Sequence, residues 1–106
     1  MDSQLSAQQL AAAARVLKAM AHPIRLGVMQ CLSTGQRSVA SLHAEFGCSQ
    51  SMMSQQLAIL EGSGLIRSRK DGTAKLCSLR NDDFLKVFSC MQRHLTEVLH
   101  VPEDGQ

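Results

Sequence analysis

Apolar residues recur at helical spacing in four segments that follow one another along the first sixty residues. The first segment ends at His22-Pro23, because proline cannot continue a helix, and Pro23 suits the first position of the next helix. Ser38 and Ser49 are placed to cap the third and fourth helices. Each segment carries an apolar stripe that can face a core. The stripes are Leu10, Ala14, Leu17 and Ala21; Ile24, Val28, Cys31 and Leu32; Val39, Leu42 and Phe46; and Met53, Leu57 and Leu60.

The pattern changes after Gly64. Residues 65–70 and 73–79 read as two strands, and Asp71-Gly72 between them is a typical hairpin turn. Helical spacing then resumes behind Asn81 as its predicted cap, with a seam that can pack against another helix. The seam is Phe84, Phe88, Met91, Leu95 and Val98. The sequence therefore predicts one domain over residues 1–106, mainly α with a β-hairpin wing (α+β), in the order ααααββα.

Composition and charge narrow the function. The chain has 106 residues, so a partner subunit would help it to bury apolar surface. Its only aromatic residues are Phe46, Phe84 and Phe88, which make a poor stacking platform for single strands, so a nucleic-acid role points to a duplex. Residues 1–80 carry a net charge of +5 and residues 81–106 carry −3. This asymmetry fits a polyanion bound on one side.

Polar side chains on the fourth helix and a basic hairpin together indicate DNA binding. A short helix, a glycine turn and a second helix with small polar residues at its start can enter a major groove. The hairpin after it can grip the neighbouring phosphates. The candidate residues are Ser49, Gln50, Ser51, Ser54 and Gln55 on the helix, and Arg67, Arg69, Lys70 and Lys75 on the hairpin. A solvated polar surface is the alternative interpretation of the helix alone.

Three stretches of the chain resemble the ArsR/SmtB family of repressors. They are residues 18–26 (KAMAHPIRL), residues 48–57 (CSQSMMSQQL), and residues 64–66 (GLI) with 69–72 (RKDG). The likeness covers about residues 10–99 and departs at Gln56, where many members carry histidine. It implies a winged helix-turn-helix that blocks a duplex operator until an inducer binds. It also implies a homodimer through the first and last helices, so Leu10 and Leu17 join the seam as candidate dimer contacts.

A metal ion such as zinc is one candidate inducer. The family's second metal site lies on the last helix, and here His94 and Glu97 match its positions. Asn81 and Asp83 stand where the family has an aspartate and a histidine, which weakens the ligand set of Asp83, His94 and Glu97 for a zinc-like ion. In one continuous helix Asp83 and His94 would share a face but stand about 16 Å apart, so only an antiparallel partner helix could complete a site. The alternative is that Asp83 caps the helix and favours its dipole, while His94 and Glu97 form a surface pair one turn apart.

A thiol-reactive or oxidising species is the other candidate inducer. Cys48 precedes the start of the fourth helix, where the helix N-terminus favours a thiolate. Cys31 and Cys90 lie in helices where some relatives carry sensing cysteines, although at other positions. The alternative for Cys31, Cys77 and Cys90 is packing as small apolar side chains.

Other classes of function receive less support. No phosphate-binding glycine loop, nucleophile elbow or zinc-hydrolase motif is present, so we do not expect an enzyme. A metal- or thiol-buffering helical protein that does not bind DNA is the remaining alternative, and it leaves the basic hairpin unexplained. No secretory signal or apolar stretch of bilayer length is visible, so we expect a cytoplasmic protein without a membrane partner.

Overall fold

Residues 4–103, which the computed structural model describes, follow the predicted order of helices and strands. The helices are α1 (Ala7–Met20), α2 (Pro23–Leu32), α3 (Val39–Phe46), α4 (Gln50–Gly62) and α5 (Leu85–Arg93), and His94–Val98 continues α5 as a π-helical segment. The strands are β1 (Arg37–Ser38), β2 (Ile66–Asp71) and β3 (Ala74–Leu79). The expected mainly helical fold with a β-hairpin is confirmed. None of the helices in this part of the chain is long and apolar enough to span a membrane.

Local capping explains where three of the helices begin. Ser38 and Ser49 each accept a hydrogen bond at 3.0 Å from the backbone N–H three residues further on, which confirms them as the caps of α3 and α4. His22 caps α2, because its Nδ1 accepts the Ile24 N–H at 3.1 Å. Pro23 follows as the first residue of α2, where its missing N–H costs nothing.

The core lies between α2, α3, α4 and the hairpin. Gly27 of α2 approaches Phe46 of α3 so closely that any Cβ at this position would overlap the phenyl ring. The contact therefore depends on the absence of a side chain. The residues predicted to face inward that are buried are Val28, Leu32, Val39, Leu42, Met53, Leu57 and Leu60.

The hairpin belongs to a three-stranded antiparallel sheet in the order β1-β3-β2. The sequence did not predict β1, because two residues are too few for an alternating pattern to show. Asp71 pairs with Ala74, so the two-residue turn is Gly72-Thr73, one residue later than expected. Gly72 has a φ of +65°, the left-handed conformation that glycine supplies in hairpin turns.

The start of the last helix differs from the expectation. Asn81 does not cap it: the Asn81 Oδ1 accepts the Asp83 N–H at 2.9 Å and closes a local turn. The helix begins only at Leu85, so Asp83 lies outside it. The interpretation of Asp83 and His94 as residues on one face of a continuous helix is therefore wrong, as is that of Asp83 as the helix cap, because Phe84 holds the cap position and no side chain caps this helix.

Candidate nucleic-acid interface

Helices α3 and α4 and the short turn between them form the helix-turn-helix. The turn contains Gly47, whose φ of +64° ends α3 in the left-handed conformation. The Cys48 N–H donates to the His43 carbonyl oxygen at 3.2 Å. The His43 Nδ1 lies 3.1 Å from the Cys48 carbonyl oxygen, a distance at which a protonated Nδ1 donates to it. These contacts stabilise the turn, which orients α4 so that its polar face is exposed.

The N-terminal half of α4 presents small polar side chains to the outside. Met53 and Leu57 face the core on the other side, so the helix has two distinct faces. The Ser49 Oγ accepts the Met52 N–H, which still allows its hydroxyl to donate. The first turn of α4 holds no acidic residue, so its positive end can attract an anion. All five candidate residues are exposed: Ser49, Gln50, Ser51, Ser54 and Gln55.

The wing, which we define as β2, β3 and the turn between them, carries its four candidate cations on two faces. Arg67 and Arg69 alternate with core-facing positions and point away from the core. Lys70 pairs directly with Lys75 near the turn. All four side chains are exposed, and the Arg69 Nη2 donates to the Gln36 Oε1 at 3.4 Å. Gln36 was not among the candidates, because nothing in its local pattern distinguishes it.

One cleft joins the wing to α4. Gln50 and Ser54 of α4 line it together with Thr73 and Lys75 of the wing. The start of α3 closes the cleft on its third side, through Ser38, Val39 and Ala40. The fold thus brings Lys75 beside the polar face of α4, while Arg67 and Arg69 lie outside this cleft.

Arg37, the basic residue of β1, is already neutralised. The Arg37 Nη2 lies 3.2 Å from the Glu45 Oε1, and the Arg37 guanidinium also donates twice to the Ser41 Oγ, at 2.9 and 2.6 Å. Arg37 therefore contributes less positive potential to the surface formed by α4 and the wing than the exposed cations of the wing do.

The candidate dimer residues divide into two groups. Phe84, Phe88 and Leu95 are half-buried, and the two phenyl rings pack against the chain's own core. The others are large apolar side chains that a single chain leaves between 50 and 57% exposed. They are Leu10, Leu17, Met91 and Val98.

The candidate metal ligands do not form a site within one chain. Asp83, His94 and Glu97 are all exposed, Asp83 in the turn before α5 and the other two in the π-helical segment. Between residues 4 and 103, no three His, Cys, Asp or Glu side chains come close enough to hold a metal ion. These residues alone therefore support no metal chemistry in the single chain.

The cysteines occupy different environments, and all four are free thiols. Cys31 and Cys48 are half-buried and pack against the core, whereas Cys90 is exposed on α5 with the Arg93 Nη2 3.9 Å from its Sγ. Cys77 is buried in β3, and this burial raises the pKa of its thiol.

Known proteins share this architecture. A family model described as a helix-turn-helix domain matches residues 20–69. The chain is 32% identical over 87 residues to the uncharacterized HTH-type transcriptional regulator Rv0081 of Mycobacterium tuberculosis (strain ATCC 25618 / H37Rv), covering 81% of this chain and 76% of that protein.

Solved structures support the same comparison. One is the homodimeric winged helix-turn-helix DNA-binding domain of Mb0332 from Mycobacterium bovis, described as a possible ArsR-family transcriptional regulator. It superposes with a TM-score of 0.77 at 29% identity, over 92% of this chain and 95% of that one. The transcriptional repressor BigR from Xylella fastidiosa superposes with a TM-score of 0.68 at 27% identity, over 86% and 90%.

Proposed function

Because the chain belongs to the ArsR/SmtB family of DNA-binding transcriptional repressors, we propose that it holds a duplex operator as a homodimer, with α4 in the major groove and the wing on the phosphates. Its relatives and structural neighbours are DNA-binding regulators, which confirms that it is not an enzyme. The alternative of a buffering protein without DNA binding is set aside on the same ground. We place its action in the cytoplasm, where its operator would be.

The observation that carries the proposed contacts is the cleft shared by α4 and the wing. Gln50 and Ser54 are uncharged donors and acceptors that suit base edges, and Lys75 is a cation that suits a phosphate. Because one cleft holds both kinds of side chain, a groove and its flanking backbone can be contacted together. Arg67, Arg69 and Lys70 extend the basic surface outward along the wing.

The proposed dimer follows from the uncovered faces of α1 and α5. No residue of α5 is buried in the single chain, although its apolar seam is the kind of stripe that packs against another helix. The homodimeric neighbour shows that this fold can pair. A two-fold pair would place its two α4 helices in successive major grooves, about 34–36 Å apart on one side of the duplex.

A division of roles between α4 and the wing gives the first test. Ser54→Ala and Gln55→Ala should weaken binding to the operator more than binding to random duplex, because base contacts carry sequence information. Arg69→Ala and Lys70→Ala should weaken both and flatten the salt dependence by about one unit of slope each. Fluorescence anisotropy over a range of salt measures all four variants. Lys86→Ala on α5 is the matched control for a lost cation, and Gln30→Ala on α2 for a lost amide.

Two outcomes would contradict this function. Equal effects of both sets on operator and random duplex would reject the division of roles. A purified protein that ignores duplex DNA at every salt concentration would reject the whole proposal.

We propose release from DNA by one of two chemistries that the residues allow, and one measurement separates them. Zinc would have to join ligands from both subunits, drawn from Asp83, His94 and Glu97, and His94→Ala would abolish its effect. An oxidant or persulfide would act through Cys31, Cys48 or Cys90, and a single Cys→Ser variant would abolish its effect instead. Anisotropy of the preformed complex, with each agent added in turn, tells the two apart.

A further inference from the structure

Arg25 of α2 connects three helices through one guanidinium group. Its Nε donates to the Ala19 carbonyl oxygen of α1 at 2.5 Å, and its Nη1 donates to the Gln56 Oε1 of α4 at 2.6 Å. Ala19 lies in the last turn of α1, where carbonyl oxygens have no partner within the helix. A cation at this end of a helix is also favoured by the helix dipole.

Gln56 is a polar residue in an apolar place. It is 7% exposed and is the only polar or charged side chain among residues 4–103 that is buried. A buried amide that lost its partner would cost free energy, so the charge-assisted bond from Arg25 is its main compensation. The other contact of this amide is weak, from the Gln56 Nε2 to the Met52 Sδ at 3.6 Å.

The hydrogen bond between Arg25 and Gln56 depends on direction, whereas the apolar contacts around it do not. Met53, Leu57 and Leu60 hold α4 by apolar burial, which is not directional and tolerates small rotations and shifts of a helix. A hydrogen bond restricts both distance and angle. Gln56 directly follows Ser54 and Gln55, so the orientation of this residue also sets the orientation of the polar face.

We propose that Arg25 is a positioning residue that ties the recognition helix α4, through Gln56, to the end of α1. The proposal rests on the function proposed above, in which the outer leucines of α1 contact the partner subunit. Because Arg25 joins the DNA-reading helix to the dimer-forming helix, it would set the separation of the two recognition helices in the dimer. The spacing of the operator half-sites would then be selected by the Arg25 hydrogen bonds, which contact neither the DNA nor the partner subunit.

The test compares operators that differ only in the spacing of their half-sites. The operator is obtained by selection from random duplex, and one base pair is then inserted at its centre, which moves the half-sites by about 3.4 Å and rotates them by about 34°. We expect the unaltered protein to prefer the selected spacing about tenfold. Arg25→Met and Gln56→Met should reduce this preference to about twofold, a loss of about fivefold, which is the size that one hydrogen bond typically contributes. Their affinity for random duplex and their dimer fraction should stay unchanged.

Arg15→Met is the matched control, since Arg15 is an exposed arginine of α1 and its loss removes the same charge. Gln56→His provides a rescue, because a neutral imidazole keeps an acceptor near Arg25 whereas an imidazolium does not. At about pH 8 this variant should select spacing as the unaltered protein does, and below about pH 6 it should lose the preference while the unaltered protein retains it.

The outcomes separate this proposal from the proposed function. If the unaltered protein does not distinguish duplex sequences, the function fails. If it does, and folded Arg25→Met keeps the tenfold preference, the positioning role fails alone. Gln56→Met removes the buried amide together with the bond, so a folded Gln56→Met that keeps the tenfold preference rejects the role even where Arg25→Met, which leaves that amide without its main partner, does not fold. Failure of the neutral histidine to restore the preference would overturn the role as well.

Discussion

Lys70 and Lys75 lie directly opposite each other on the two strands of the wing, and both are exposed. Like charges in such a cross-strand pair repel each other and destabilise a hairpin. The wing therefore carries an electrostatic strain that a phosphate between the two ammonium groups would relieve. The Lys70–Lys75 pair therefore lowers the stability of the wing by itself and favours the binding of a polyanion.

Reversing one of these charges should separate stability from binding. Lys75→Glu replaces repulsion with attraction, so the free energy of unfolding in urea should rise by about 0.2–1 kcal/mol. Affinity for operator and for random duplex should both fall, and the salt slope should decrease by about one to two units. Lys86→Glu on α5 makes the same charge change away from the wing and should leave the slope near that of the unaltered protein. Full affinity in Lys75→Glu would show that Lys75 takes no part in binding.

The parts of the fold that depend on neighbouring residues could be predicted from the sequence. Ser38 and Ser49 cap helices through bonds that reach only three residues along the chain. The two faces of α4 follow from the helical period, which places Met53 and Leu57 inward and leaves Ser54 and Gln55 outward. The hairpin was predicted within one residue, because a glycine turn between two strands is a local signal.

The parts that depend on distant residues could not be predicted in this way. Arg25 and Gln56 are 31 positions apart, and no periodic pattern connects them. The cleft that unites Lys75 with Gln50 depends on how the sheet packs against the helices, which the sequence pattern does not specify. The start of α5 was placed too early because Asn81 forms a local turn, a competing use of the same side chain.

A charge placed on the exposed part of the apolar seam should affect assembly more than folding. Met91 is 50% exposed in the single chain, so Met91→Glu should change the free energy of unfolding of the monomer little. A buried carboxylate in the proposed interface would be costly, so the variant should sediment as a monomer and lose most of its operator affinity. Met52→Glu on α4 makes the same substitution at another exposed methionine, and it should remain dimeric. A dimeric Met91→Glu would place the interface elsewhere.

The close approach of Gly27 to Phe46 predicts a coupled pair. Gly27→Ala would drive a methyl group into the phenyl ring, and such overpacking costs about 1–3 kcal/mol, more than the gain in helix propensity of about 1 kcal/mol. We therefore expect a lower free energy of unfolding. In a Phe46→Leu background the same Gly27→Ala change should be neutral or stabilising, because the ring atoms that it meets are gone. Additive effects in this double-mutant cycle would show that the two residues do not interact.

Cys77 should make stability fall at alkaline pH. Burial raises the pKa of its thiol above the ordinary value of 9.0, an effect that Lys75 opposes and Glu61 reinforces. Above pH 9.0 the unfolded chain has therefore lost a proton that the folded chain still holds. Because the unfolded state then binds fewer protons, the contribution of Cys77 to stability, complete below that pH, declines as the pH rises.

Urea unfolding at intervals from about pH 7.5 to 10.5 measures this decline, since the range brackets the ordinary titration of a thiol. Cys77→Val should flatten the alkaline part of the curve, because valine carries no proton to lose. Cys90→Val removes an exposed thiol and should leave the slope of the unaltered protein in place. Identical slopes in the unaltered protein and in Cys77→Val would mean that other groups cause the decline, and that the Cys77 thiol ionises in the folded chain as readily as in the unfolded one.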